Sequence, residues 1–460
     1  MGTVFLHQLR DHLRSLRFPL GLLVLLLFFL ANGIVYAWKV QRVAEEAARI
    51  QADDDRLYGE PRTVSAAADL FWRVLSHPLG TEFIAEAGLN WFDDSAWLGV
   101  ASERRPLSAA NSRTLNNWML PFEIVDWALV VRLVLSFLCV VLAYDAVSGE
   151  QESGTLRLVL ANPLSRGRFL VGKFLGHLTA LLAATLVGAL VSLLVLSLSG
   201  VPVLGCCLLF LLGTVLYLTF FLFVAMGVSA VARRSSSALV LLVLVWAVVI
   251  VIVPQTSYMA GAHFAEASGN WWWQAEDVVR QARQRLAGEG ISLRDPELGR
   301  ADGYALEQRY ARGMQAADQE QARITLWAHE QSMRQCELAR TVNLLSPGFA
   351  FQYSVEAFLG AGPMRLRSFL QQALRHRDAL RASFQAQDAA DPASPHLLFY
   401  PAFLSRRDLD PQLVPAFREE RLSLAEGVRQ GLVPIVVLVL EAAAAFFFAL
   451  WAVNRAQITE

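Results

Sequence analysis

The sequence predicts an all-α polytopic membrane protein, with six membrane-crossing helices and two polar segments that fold together outside the bilayer. Three observations predict it. Apolar residues make up 55% of the chain and charged residues 18%, above and below the soluble averages, and the mean hydropathy is +0.39. Apolar runs recur at about 20 residues, the length that matches the hydrocarbon thickness. Charge falls between those runs rather than within them. The net charge of −1 gives no bulk field for nucleic acid, and the basic residues are almost all arginine.

Residues 1–17 set Val4, Phe5, Leu9, Leu13 and Leu16 against His7, Arg10, Asp11, Arg14 and Arg17, the stripe of a helix lying on the cytoplasmic membrane surface. The first span is 18–38; Asn32, Tyr36, Trp38 and Lys39 make no small-residue cleavage site, so it reads as a retained anchor. Residues 39–122 form a first outer segment, with the acidic run Asp53, Asp54 and Asp55 and helical patches such as 64–76. The second to fifth spans are 123–145, 169–198, 204–228 and 238–254, and the sixth is 432–453, before a tail at 454–460. The second outer segment, 255–430, carries apolar residues at helical spacing over 275–287, 304–341 and 368–387, then the prolines Pro392, Pro395, Pro401, Pro411 and Pro415. The two outer segments are expected to pack into one mostly helical domain.

Short loops orient the chain. The loop after the third span has no charge, whereas the loop after the fourth holds Arg233 and Arg234. That puts Arg455 and residues 144–173 in the cytoplasm as well.

Residues 144–173 are the stretch around which the chain is organised. Ser148-Gly149-Glu150 is expected to break the second span, 152–160 to form a short amphipathic helix with Leu156, Val159 and Leu160 on one side, and Asn162-Pro163 to stop it. A helix then restarts, with Arg166, Arg168 and Lys173 at the membrane edge. Glu150, Glu152, Arg157 and Arg166 form either a solvated turn or a face that docks a partner protein, and the ordered insert favours docking, with Thr155, Leu156, Leu160 and Pro163 as further candidates.

The order Tyr-Asp-x-Val-Ser-Gly-Glu-x-Glu-Ser-Gly-Thr-Leu, then Asn-Pro-x-Ser-Arg and Gly-Lys-Phe, resembles the ABC exporter permeases of the ABC-two type, also called type V exporters. The likeness is dense over this insert and one of topology elsewhere. Residues from Leu345-Ser346-Pro347 onward resemble a branch with large outer domains. The resemblance implies that 152–160 is a short cytoplasmic coupling helix seated on a separate ABC ATPase, which would hold the ATP and magnesium. It also implies a second permease copy, identical or related, and a multi-pass place in the bacterial cytoplasmic membrane with both termini inside.

Little else bears chemistry. Gly167 to Lys173 has the spacing of a phosphate-binding loop, but Phe174 stands where a Ser or Thr would bind magnesium, and no buried strand precedes it. The chain is therefore read as having no ATPase site, no bound cofactor and no catalytic residues of its own. Asp126, Arg132 and Glu441 are ionisable residues in or near spans, and an unpaired charge near mid-span costs about 2.5–3.5 kcal/mol. Arg132 is placed to meet Glu441 if their helices touch; the alternative is a structural contact or snorkelling. Trp271-Trp272-Trp273 reads as an interfacial anchor more readily than as a sugar or lipid platform. Gly172 and Gly176 permit close helix approach. Cys139, Cys206 and Cys207 fall in spans, Cys336 stands alone, and no histidines sit at metal-ligand spacing, so neither disulfide nor metal is expected. Two functions stand: an ATP-driven transporter subunit, or a membrane assembly factor or sensor whose outer domain binds a partner.

Overall fold

The computed structural model describes residues 2–60, 62–77, 79–86, 94–101, 105–110, 125–156, 165–200, 207–232, 234–264, 269–291, 304–397 and 400–455. The chain is an all-α polytopic membrane protein, with one small sheet among the described residues. Among the described residues, six helices are long and apolar enough to cross a bilayer.

A surface helix α1 (Gly2–Arg14) leads into α2 (Arg17–Gly59). The α2 helix does not stop at Trp38 as the span length suggested; it runs for 43 residues, about 64 Å. The reason is local: no Gly or Pro occurs from Lys39 to Tyr58, and the stretch is rich in Ala, Glu, Arg and Gln, all strong helix formers. A short helix α3 (Val64–Ala68) begins at Thr63, whose hydroxyl accepts the Ala66 N–H at 3.2 Å.

The 64–76 patch is then corrected, because Phe71–Leu75 is a strand, β1. Aromatic and β-branched residues dominate it, and they pack better on a pleated surface. It pairs antiparallel with β2 (Ser95–Gly99), with Arg73 opposite Trp97, and β2 pairs antiparallel with β3 (Ser108–Ala110).

The second span, α4, is built from Trp127–Leu129, a π-helical Val130–Leu135 and Ser136–Ala143. After it come α5 (Ser148–Glu152), α6 (Arg166–Leu198) and α7 (Cys207–Val231). The fifth span, α8, joins Ser235–Ala247, a second π-helical stretch Val248–Ile252 and Val253–Phe264. Then follow α9 (Trp271–Gly288), α10 (Ala305–Asn343), α11 (Pro347–Phe358), α12 (Pro363–Ala389) and α13 (Leu424–Arg455).

Among the described residues one core runs through the spans, and two smaller ones lie in the domain. At the domain end of the bundle Trp127 is fully buried, with ring centroids of Phe29, Phe83 and Phe210 at 5.6, 5.2 and 5.3 Å. Its indole N–H reaches Ser192 Oγ at 3.1 Å, and Ser192 donates to Asn32 Oδ1 at 2.8 Å, so α2, α4 and α6 share one satisfied polar chain. In the domain, the sheet packs on α12 through Val74, Leu98, Phe369, Ala373 and Phe384, while α9 and α10 enclose Val279, Leu286, Tyr310 and Met314.

The sequence placed all of 255–430 in the domain, and α11 corrects that. It packs against α7 and α13, and Ala350, Phe351 and Val355 belong to the bundle core. Phe351 stacks on Tyr217 at 5.1 Å. Gly427 makes this possible: a Cβ there would stand 2.4 Å from the Ala357 carbonyl oxygen.

Candidate functional site

The candidate site is the described part of the 144–173 insert, at the end of the bundle that carries both termini. The chain turns at 144–147, and Ser148 to Glu152 are helical, so Ser148-Gly149-Glu150 is not the expected break. The first N–H groups of α5 find an outside partner instead: Val147 N and Ser148 N both donate to Ser229 Oγ on α7 at 3.0 Å. Ser148 Oγ lies 3.1 Å from both Ser229 Oγ and Ser235 Oγ. The break comes later, at Gly154, whose φ is +72°.

Three carboxylates fix the insert to other helix ends. Glu152 accepts from Ser235 N at 3.0 Å and from Ser235 Oγ at 2.7 Å, which puts its negative charge on the N-terminus of α8. Glu150 pairs with Lys173 Nζ of α6 at 2.8 Å and also accepts the Thr155 hydroxyl. Asp145 pairs with Arg17, the first residue of α2, at 2.7 Å. On the far side of the insert, Arg166 donates to the carbonyls of Val453 and Asn454 at 2.9 and 2.6 Å, at the C-terminus of α13 where a cation is favoured. Residues 145–152 are thus bonded to four other spans, α2, α6, α7 and α8, and the start of α6 is bonded in turn to α13.

The surface helix closes over the same place. His12 Nε2 lies 2.9 Å from His177 Nδ1 of α6, with both rings buried, and a cavity of about 950 Å³ opens between α1 and the insert, lined in part by His7, Asp11, Asp145 and Lys173. Burial holds the His12 imidazole below the usual histidine range; Asp11 and Asp145 oppose that shift and Lys173 adds to it.

Of the eight docking candidates, Glu150, Glu152 and Arg166 turn to the bundle's own helix ends, Thr155 bonds Glu150, and Leu156 is buried in the bundle core. Arg157, Leu160 and Pro163 lie outside the described residues, and the described part of the expected 152–160 helix is interrupted, since α5 ends at Glu152 and Gly154 turns the chain. Two groups that seat the insert, Ser229 and Ser235, were missed, because lone serines at span ends carry no periodic pattern, and Lys173 was read as a membrane-edge cation rather than as the partner of Glu150. Gly167 to Lys173 forms the first turns of α6, with the lysine ammonium held by Glu150, so it is not a phosphate-cradling loop.

The intramembrane candidates separate. Asp126 caps α4, accepting Leu129 N at 2.6 Å and Glu86 N at 2.8 Å. Arg132, in the π-helical turn, does not meet Glu441. Its stem crosses Gly348 and its guanidinium lies 4.2 Å from the Phe349 ring centroid, because α11 packs against this part of α4. Glu441 keeps one buried carboxylate oxygen, Oε2, without a hydrogen-bond partner among the described residues.

A family model described as "ABC-2 family transporter protein" matches residues 3–453. The chain is also similar to the probable ABC transporter permease protein NosY of Pseudomonas aeruginosa, 36% identical over 105 residues, which is 23% of this chain and 33% of that protein. With the protein of the same name from Stutzerimonas stutzeri it is 40% identical over 93 residues, 20% and 30% of the two chains. The chain thus spans about a third of the length of the curated relatives it matches.

Proposed function

The chain belongs to the ABC-2 family of transporter proteins, and on that premise we propose that it is the permease subunit of an ATP-driven exporter whose motor is a separate ATPase. The observation that carries this reading is the seating of the insert. A segment bonded to four spans through Arg17, Lys173, Ser229 and Ser235, and continuous with an α6 that Arg166 ties to α13, passes any displacement to all of them. A passive anchor has no use for such a junction.

In this reading the ATPase lies in the cytoplasm and supplies the bound ATP and magnesium. Arg157, Leu160 and Pro163 make the docking contact, as the family resemblance implies, and Glu150 and Glu152 convert it into motion of α6 and α8. Two copies of the chain, or this chain and a related one, form the path between them. The protein sits in the bacterial cytoplasmic membrane with its termini inside and its domain outside, where the domain meets cargo or a partner protein.

The test separates docking from transmission. Wild type, the double variant Arg157→Ala with Leu160→Ala, and Glu152→Ala are each purified in detergent, and co-purifying ATPase is measured. The double variant is expected to lose the ATPase. Glu152→Ala is expected to retain it but to lose the permease's effect on its turnover. If wild type brings down no ATPase, the exporter reading falls and the assembly-factor reading replaces it.

A further inference from the structure

Arg132 is a cation that the transport reading does not use. It lies five residues into α4, about 8 Å along the span from Trp127, on the domain side of the bundle. Its guanidinium makes no ion pair and no hydrogen bond among the described residues, and its Nε is buried without an acceptor. Asp126 and Glu356, the carboxylates that act on it across the packing, are committed elsewhere. Asp126 accepts two backbone N–H groups, and Glu356 accepts from Arg340 and Gln352, both at 2.8 Å. The Phe349 ring under the guanidinium is a weak partner and carries no negative charge. An unpaired charge at this depth is costly, and by default it points to a ligand.

The first turn of α11 lies against the same side chain. A Cβ on Gly348 would stand 2.8 Å from Arg132 Cγ and 3.0 Å from Ile250 Cδ1, so this turn is seated between α4 and α8. Ser346 is the N-cap residue, yet its side chain bonds none of the first N–H groups, and its Oγ is fully buried without a partner. Pro347 has no N–H, and those of Phe349 and Ala350 both go to the Ser346 carbonyl. The Gly348 N–H is left without an acceptor among the described residues. A helix start with free donors beside an unpaired arginine favours an anion, phosphate above all.

The surroundings select the form in which phosphate arrives. Two π-helical stretches, Val130–Leu135 of α4 and Val248–Ile252 of α8, both contact α11 here, and such stretches recur at functional sites. Arg132 is partly exposed. Around it Leu345, Phe137, Val251 and Ile252 are apolar and exposed, a surface that faces lipid. A soluble anion gains nothing from that surface, whereas a phospholipid covers it with acyl chains and carries its own phosphate within snorkelling reach of the arginine.

We propose that α4, α8 and α11 form a binding site for an anionic phospholipid of the leaflet next to the domain. The phosphate sits on the Arg132 fork, whose geometry suits it, with the Gly348 N–H and the Ser346 hydroxyl, rotated outward, as further donors. The acyl chains lie along Phe137, Val251 and Ile252. The inference does not rest on the transport reading.

Phosphatidylglycerol and diacylglycerol, each with a diazirine in one acyl chain, are photocrosslinked to the full chain in phosphatidylcholine nanodiscs, and adducts are mapped by peptide mass spectrometry. In wild type, the α4 and α11 peptides around Arg132 should carry at least fivefold more of the phosphatidylglycerol. Arg132→Gln should bring that ratio close to one while adducts at the opposite end of the bundle stay unchanged, which shows that the variant is folded. Ser346→Ala should lower the ratio about twofold, and it carries the test alone should Arg132→Gln fail to fold. Inorganic phosphate at tens of millimolar, against chloride at equal ionic strength, should leave the wild-type ratio unchanged. Equal labelling by the two lipids in wild type, a wild-type ratio in folded Arg132→Gln, or a wild-type ratio in Ser346→Ala would each overturn the proposal. Loss of the excess in inorganic phosphate would overturn it too, by making the ligand a free anion.

Discussion

Removing the Glu150 carboxylate tests whether the insert is held to α6 by charge. In Glu150→Ala the Lys173 ammonium, on a side chain only 9% exposed, loses the partner it has at 2.8 Å. Breaking a fully buried pair costs 3–5 kcal/mol; the Glu150 side chain is 21% exposed, and solvent screening brings the expected cost to about 2 kcal/mol. At 1.4 kcal/mol per decade, that raises the population with Lys173 released about 30-fold. The chain supplies its own reference. Its two lysines are Lys39 and Lys173, and Lys39 is equally covered, at 10%, by its pair with Glu86. Acetylation of the folded protein with an amine-reactive ester, read by peptide mass spectrometry, gives the ratio of Lys173 to Lys39 modification. That ratio should rise about 30-fold in Glu150→Ala. If it stays at the wild-type value, the pair does not hold the insert, and the transmission argument loses its α6 arm.

Further outcomes follow from other contacts. Gly427→Ala should lower thermal stability in detergent by about 1–3 kcal/mol, since its methyl group would press on the Ala357 carbonyl; an unchanged melting temperature would mean α13 and α11 are not closely packed. Glu441→Leu should leave the melting temperature equal or higher, because an unpartnered carboxyl oxygen is removed from the span; a fall would reveal a partner. The α1 helix should loosen in acid. His12 has its pKa lowered by burial, so the folded state favours the neutral ring; that contribution is complete above about pH 6.5 and is lost as pH falls through the lower folded value. Amide-exchange protection of Gly2–Arg14 should therefore drop between pH 7.5 and 5.5, and His12→Gln should flatten the dependence.

The spans were legible because their information is local: length and hydropathy settle them without reference to the rest of the chain. The insert was legible only as an interruption between spans: its turn falls at Gly154 rather than at Ser148-Gly149-Glu150, and Asn162-Pro163 lies outside the described residues. Features that depend on distant residues were not. The strand Phe71–Leu75 is five residues long and reads equally as the end of a helix until β2 pairs with it. The α11 helix joins the bundle because Gly427 and Gly431, some seventy residues later, leave room for Ala357 and Phe358. The site shows the same split. The positions of Glu150 and Glu152 could be read, but their roles are set by Lys173 and by Ser235, which nothing in the local pattern joins to them.

The length of α2 gives the domain a mechanical relation to the insert. Its first residue, Arg17, is tied to Asp145. Near its other end, Asp54 holds Arg73 of β1, and the Tyr58 hydroxyl donates to the Phe71 carbonyl at 2.9 Å. Of its roughly 64 Å, the bilayer core accounts for about 30 Å, so about 30 Å of stiff rod projects beyond it. A tilt of about 10° in the membrane therefore swings the far end by about 5 Å. Pinned at both ends, the helix has the build of a rocker arm: a displacement at Asp145 that tilted it would carry the sheet with it.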